Sequence, residues 1–114
     1  MSNCIFCKIL TKEIPSKIVY EDDICMAFDD VNPQAPVHVL IVPREHIPTI
    51  TDVTEDQKWL IGHLCMVVNK IADSKNIKEP GFRVIINSNP AGGQMVYHLH
   101  IHVMGGRQMI WPPG

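Results

Sequence analysis

The chain has 114 residues, 46% of them hydrophobic, which supplies one globular domain over residues 1–114 with a modest core and leaves no material for a second. A formal charge of -2 offers no electrostatic attraction to nucleic acid or an anionic membrane, so neither is expected as a partner, while a small anion can still be held by local groups. No apolar run reaches bilayer-spanning length and the N-terminus lacks the regions of a secretory signal, so the expected location is cytoplasmic.

In chain order, the first feature is the pair Cys4 and Cys7, whose spacing brings two sulfurs to one side of a turn, as a zinc knuckle or a redox pair requires. A redox motif should follow a strand and none precedes this pair, so metal is favoured. Cys25 and Cys65 lie in apolar runs and read as small core residues. Residues 8–13 form a short helical turn closed by Ile14-Pro15, and 17–21 a brief strand turned at Asp22-Asp23. Residues 24–28 form a second strand, and 29–36 hold too many turn formers to extend it. Residues 37–42 are β-branched and apolar, a third strand stopped by Pro43.

From 54 to about 75, the apolar residues Leu60, Ile61, Leu64, Val67, Val68 and Ile71 recur at helical spacing. Thr54 with Gln57 makes a capping box, Asn76 a terminator, and His63 falls at the boundary or surface of this helix. Pro80-Gly81 turns the chain into a fourth strand over 82–87. The glycine-containing connection 87–94 lets backbone N–H groups approach an anion, or serves only as a tight turn.

Residues 98–104 read His-Leu-His-Ile-His-Val-Met. On a strand, strict alternation sets the three imidazoles on one face, about 7 Å apart, and Leu99, Ile101 and Val103 on the other. Packing alone does not explain three aligned groups that titrate near neutrality, so this face is a reactive surface, a metal site, or both. Strands of antiparallel character with one dominant helix give an α+β class.

The 98–104 segment resembles the signature of the histidine triad (HIT) superfamily. The likeness to its nucleotide-binding Hint branch extends to Lys12-Glu13-Ile14-Pro15, Glu21-Asp22-Asp23, Gln34-Ala35-Pro36, Gly92-Gly93-Gln94, Gly105-Gly106-Arg107-Gln108-Met109 and Trp111-Pro112-Pro113-Gly114. The resemblance implies a five-stranded, mainly antiparallel sheet with one long helix and a short N-terminal one, assembled as a homodimer. It implies hydrolysis of purine nucleoside 5'-phosphoramidates through a nucleotidyl-histidine. Carried over by position, His100 is the nucleophile, His102 contacts phosphate and leaving group as an imidazolium, His38 positions the nucleophile, and Asn87 binds phosphoryl oxygens. Gly93, Gln94 and Met95 fall in the phosphate-contacting segment, and Asp30 accepts both ribose hydroxyls. Ile5, Phe6, Ile9, Phe28, Val31 and Leu40 surround the base, and Trp111 reaches the neighbouring protomer's site.

Two departures from the animal Hint pattern matter. Met95 stands where a serine hydroxyl often contacts phosphate, a loss on the order of 1.5–3 kcal/mol. Cys4 and Cys7 resemble the zinc-containing, bacterial-like subset, in which His46 and His98 correspond to the other ligands of a closed, structural zinc site. Three alternatives stay open: a dinucleoside polyphosphate hydrolase, which the C-terminal segment disfavours; a nucleotide-binding or protein-interaction module with weak catalysis; and a zinc hydrolase ligated by the triad itself.

Overall fold

The computed structural model describes residues 3–114. Its elements are α1 (Ile5–Leu10), β1 (Ile18–Glu21), β2 (Cys25–Asp29), β3 (Val37–Pro43), α2 (Lys58–Ser74), β4 (Phe82–Ile85) and β5 (Ile101–Gly105), with short 3₁₀ turns at Ile50–Asp52, Glu55–Gln57 and Pro90–Gly92. The strands form one five-stranded sheet in the order β1-β2-β3-β5-β4, every neighbour antiparallel.

Alternation along the strands divides the interior in two. Cys25, Ala27, Val39, Ile41, Leu99, Ile101 and Val103 face α2, which contributes Leu60, Leu64, Val67, Val68, Ile71 and Ala72 to that core. Met26, Phe28, Leu40 and Val42 face the other way, onto Phe6, Ile9 and Leu10 of α1. Burial on both faces explains why β2 and β3 read as continuous apolar runs.

Several boundaries shift for local reasons. The first helix starts at Ile5 rather than 8, because Cys4 Sγ accepts the Cys7 N–H at 3.4 Å and so caps it. The Thr54–Gln57 capping box forms, but on the 3₁₀ turn that leads into α2. Asn76 ends α2 in a left-handed conformation, with the Ile77 N–H donating to the Ala72 carbonyl. Cys65 is exposed rather than a core residue, since one residue past Leu64 turns about 100° away from the sheet. The third strand runs on through Pro43, which pairs with Cys25, and the fourth ends at Ile85.

The largest difference concerns 98–104. Ladder pairing begins only at Ile101, opposite Ile41, because the Leu99 N–H leaves the sheet to donate to the Ile47 carbonyl at 2.6 Å. The alternation survives without the ladder: Leu99 is buried in the α2 core, while His98 and His100 belong to the opposite face. No helix among the described residues is long and apolar enough to cross a membrane.

Candidate active site and metal centre

Of the histidine rings on the α1 face of the sheet, His38, His98 and His100 are oriented by main-chain groups and His102 by the side chain of His38. His100 Nδ1 lies 2.7 Å from the His98 carbonyl, which can only accept, so the hydrogen sits on Nδ1 and Nε2 carries a bare lone pair. Phe6 meets this ring edge-on, with centroids 5.0 Å apart. Burial holds His100 below the ordinary imidazole value, with the carbonyl contact opposing in part, and keeps the ring neutral at pH 7.

His38 and His102 form a second oriented pair. The Gln34 N–H donates to His38 Nδ1 at 3.0 Å, which places the His38 hydrogen on Nε2, 2.9 Å from His102 Nδ1. His102 then carries its own hydrogen on Nε2, a buried atom with no hydrogen-bond partner among the described residues. His38 therefore orients His102 and makes no hydrogen bond to His100, the residue it was expected to position. His102 is drawn down to about 4, first by burial and then by the neighbouring His100 and His38, so at neutral pH it is a neutral donor rather than an imidazolium. Asp30 Oδ2 stands 3.4 Å from His38 Nε2, an unexpected contact for a residue assigned to ribose.

His38, His100 and His102 line a cavity of about 430 Å³. Phe6, Ile9, Phe28 and Leu40 supply buried apolar wall, while Ile5 and Val31 stand at the rim, Val31 being 98% exposed. Asp30 lies within the lining, as do Asn87, Gly93 and Met95 beside His100 and His102; Met95 is 89% exposed. Gly93 has φ 81°, a conformation that favours glycine, directly after the 3₁₀ turn. A more open cavity of about 680 Å³ shares Asp30, Val31 and His38 but excludes His100 and His102.

Two expected site residues lie outside this lining. Gln94 is buried and fully engaged: Nε2 donates to the Pro48 and Val96 carbonyls, Oε1 accepts the Asn89 N–H, and its own N–H donates to Asn89. It braces the loop that presents Gly93 and Met95. Trp111 is 82% exposed and does not reach the cavity of its own chain. Sequence reasoning missed Ile14, Pro15, Ser16, Asp29, Asn32 and Val96 in the lining and the anchoring role of the Gln34 amide. A main-chain contact leaves no residue-type signal, so nothing at Gln34 could have disclosed it.

Cys4, Cys7, His46 and His98 converge, with one ligand atom from each within 4.8 Å of the others. His98 Nδ1 is 3.3 Å from Cys4 Sγ, 3.6 Å from Cys7 Sγ and 3.1 Å from His46 Nδ1. A tetrahedral zinc with Zn–S of about 2.3 Å and Zn–N of about 2.0 Å requires S–N edges near 3.5 Å and an N–N edge near 3.3 Å, so the donor set fits. His98 Nε2 donates to the Pro43 carbonyl at 2.8 Å, which turns the Nδ1 lone pair toward the sulfurs and supplies the outer contact typical of a ligating imidazole. Four protein ligands would leave such an ion no open position for a water. On the far face, Asp22 accepts from Tyr20 and contacts His63, both at 2.8 Å, fastening α2 to the β1-β2 turn.

Comparison with known proteins places this geometry. A model described as the HIT domain matches residues 11–109. The chain is 54% identical over 110 residues to an uncharacterized HIT-like protein of Synechococcus elongatus, covering 96% of each. It is 50% identical over 105 residues to the purine nucleoside phosphoramidase of Escherichia coli, covering 92% of this chain and 88% of that one. Among solved structures, a HIT family hydrolase from Legionella pneumophila superposes with a TM-score of 0.96 at 49% identity, covering 98% of this chain and 100% of its own.

Proposed function

The chain belongs to the HIT domain family, and from that premise we propose that it is a purine nucleoside phosphoramidase, cleaving nucleoside 5'-phosphoramidates through a nucleotidyl-histidine. The observation that carries this reading is the fixed tautomer of His100, whose Nδ1–H is committed to the His98 carbonyl. A neutral imidazole with its Nε2 lone pair bare is a nucleophile that needs no base to activate it. The E. coli relative at 50% identity supports the substrate class.

His100 Nε2 attacks the α-phosphorus, a P–N bond forms to the ring, and the P–N bond to the amine breaks. The amine departs with one added proton, and the water that next cleaves the phosphorus–histidine bond returns one. His102 Nε2–H, buried and unpartnered beside His100, is the atom suited to give and recover it. Asn87 and the Gly93 segment hold phosphoryl oxygens, Asp30 the ribose, and the apolar wall the base. Met95 contributes only its main chain to the phosphate.

Cys4, Cys7, His46 and His98 would hold a structural zinc, which would supply a cross-link between the N-terminal segment and the sheet and leave the chemistry to the histidines of the cavity. The domain works as a cytoplasmic homodimer in which Trp111 approaches the partner's cavity, a role that fits a large exposed aromatic near a chain end.

The test is release of AMP from adenosine 5'-phosphoramidate by the wild type and by His100→Ala. The variant should retain AMP binding and lose at least about a thousandfold in kcat, with no nucleotidyl adduct detectable by intact mass. A wild type that binds AMP and turns nothing over makes the chain a nucleotide-binding module.

A further inference from the structure

We propose that Asp30 is a positioning residue for His102 as well as a ribose ligand, so that occupancy of the ribose subsite secures the leaving-group histidine in the tautomer that its contact with His38 favours. This rests on the nucleotide reading above and adds a coupling inside that site.

The Gln34 N–H, donating at 3.0 Å, occupies the lone pair of His38 Nδ1, so the single hydrogen of neutral His38 resides on Nε2. Two acceptors face it: His102 Nδ1 at 2.9 Å and Asp30 Oδ2 at 3.4 Å. An N–H cannot make two good hydrogen bonds at once, so the acceptors compete. Directed at His102, this hydrogen fixes His102 Nδ1 as an acceptor and its Nε2–H as a donor into the cavity. Drawn toward Asp30, it releases His102 Nδ1, and His102 can take the other tautomer, whose bare Nε2 repels a phosphoryl oxygen and has no proton for a departing amine.

Asp30 is already partly engaged, because Oδ1 accepts the Asn32 N–H at 2.8 Å. Two ribose hydroxyls donating to this carboxylate fill its remaining acceptor capacity and weaken its pull on His38. The hydrogen then stays with His102, and the productive tautomer is secured by the sugar. The Asp30 charge also acts on His38, His100 and His102 alike, which places this carboxylate within the electrostatics of the reacting groups as well as at the sugar. The ribose diol accordingly contributes to turnover in addition to affinity.

The experiment uses the full chain with ¹⁵N-labelled histidine, observing imidazole nitrogen shifts with AMP and with 2',3'-dideoxy-AMP, which share a phosphate and differ only in the hydroxyls. AMP is expected to raise the Nε2–H form of His102, and the dideoxy analogue to leave a mixture of tautomers. The matching dideoxy phosphoramidate should then show a kcat roughly tenfold lower at saturation, beyond any change in KM. Asp30→Asn, which removes the charge and keeps an acceptor for hydroxyls, should erase the difference between the two ligands in the His102 signals. Saturable binding of both ligands with identical His102 signals, and an effect confined to KM, overturns the coupling and leaves the phosphoramidase reading standing. Failure of AMP itself to bind overturns the nucleotide reading.

Discussion

Burial holds the His102 imidazole down to about 4 in the folded chain, against an ordinary value of 6.5, and His38 and His100 are lowered in the same direction for the same reason. Between pH 6.5 and about 4 the unfolded chain therefore binds protons that the native chain does not. Stability from this source is complete above 6.5 and is lost as the pH falls through that window. The urea midpoint should decline from pH 7 to 4.5, and His102→Asn should lessen the decline by on the order of 1–3 kcal/mol, read from the difference between the two pH profiles. Individual residue types were legible in the sequence: alternation assigns the imidazoles a common face, and the chain realises it. Their hydrogen-bond partners were not, because the His98 carbonyl and the Gln34 amide belong to the backbone and any residue supplies them.

At the scale of elements, α1 is six residues long, too short to be stable by itself. Its Phe6 and Ile9 nevertheless form part of the cavity wall. The cysteines at its start contact His46 and His98, so a metal bound by the four would hold the wall in place. Chelation is expected to raise amide exchange in residues 5–10 by about tenfold or more while α2 stays protected, a local opening that hydrogen-exchange mass spectrometry resolves from global unfolding. By contrast α2 is held by apolar packing, and Leu64→Ala should cost about 2–5 kcal/mol in chemical denaturation. Periodicity announced α2 and its stop at Asn76, since a long amphipathic stripe and a left-handed terminator are both local signals. The start of α1 depended on a thiol acting as a cap and the start of β5 on a bond to Ile47, and both are tertiary events that propensity does not record.

For the whole molecule, the antiparallel order β1-β2-β3-β5-β4 sets β3 and β5 side by side at the interior of the sheet, with Leu40 opposite His102. Residues distant in sequence thus meet with little freedom to shift. The C-terminal segment remains outside this frame, with Ile110 and Trp111 both exposed. Deleting residues 110–114 is expected to leave the thermal midpoint within a few degrees and to change relative kcat/KM across a panel of aryl and alkyl phosphoramidates. An unchanged panel places Trp111 outside the site. Hydrophobic patterning foretold the α+β class because alternating and helical periods are separate in the chain, whereas the cavity shape was not foretold: the same apolar residues serve equally as core or as pocket wall.

Segment 98–105 has two employments that cannot be separated, since odd and even positions serve opposite faces of the sheet. Loss or gain of a single codon there exchanges them, thrusting imidazoles beneath the long helix and aliphatic groups into the cavity. This stretch is therefore expected to diversify by point replacement alone, and length variation among descendants of the gene to gather in the connections on either side.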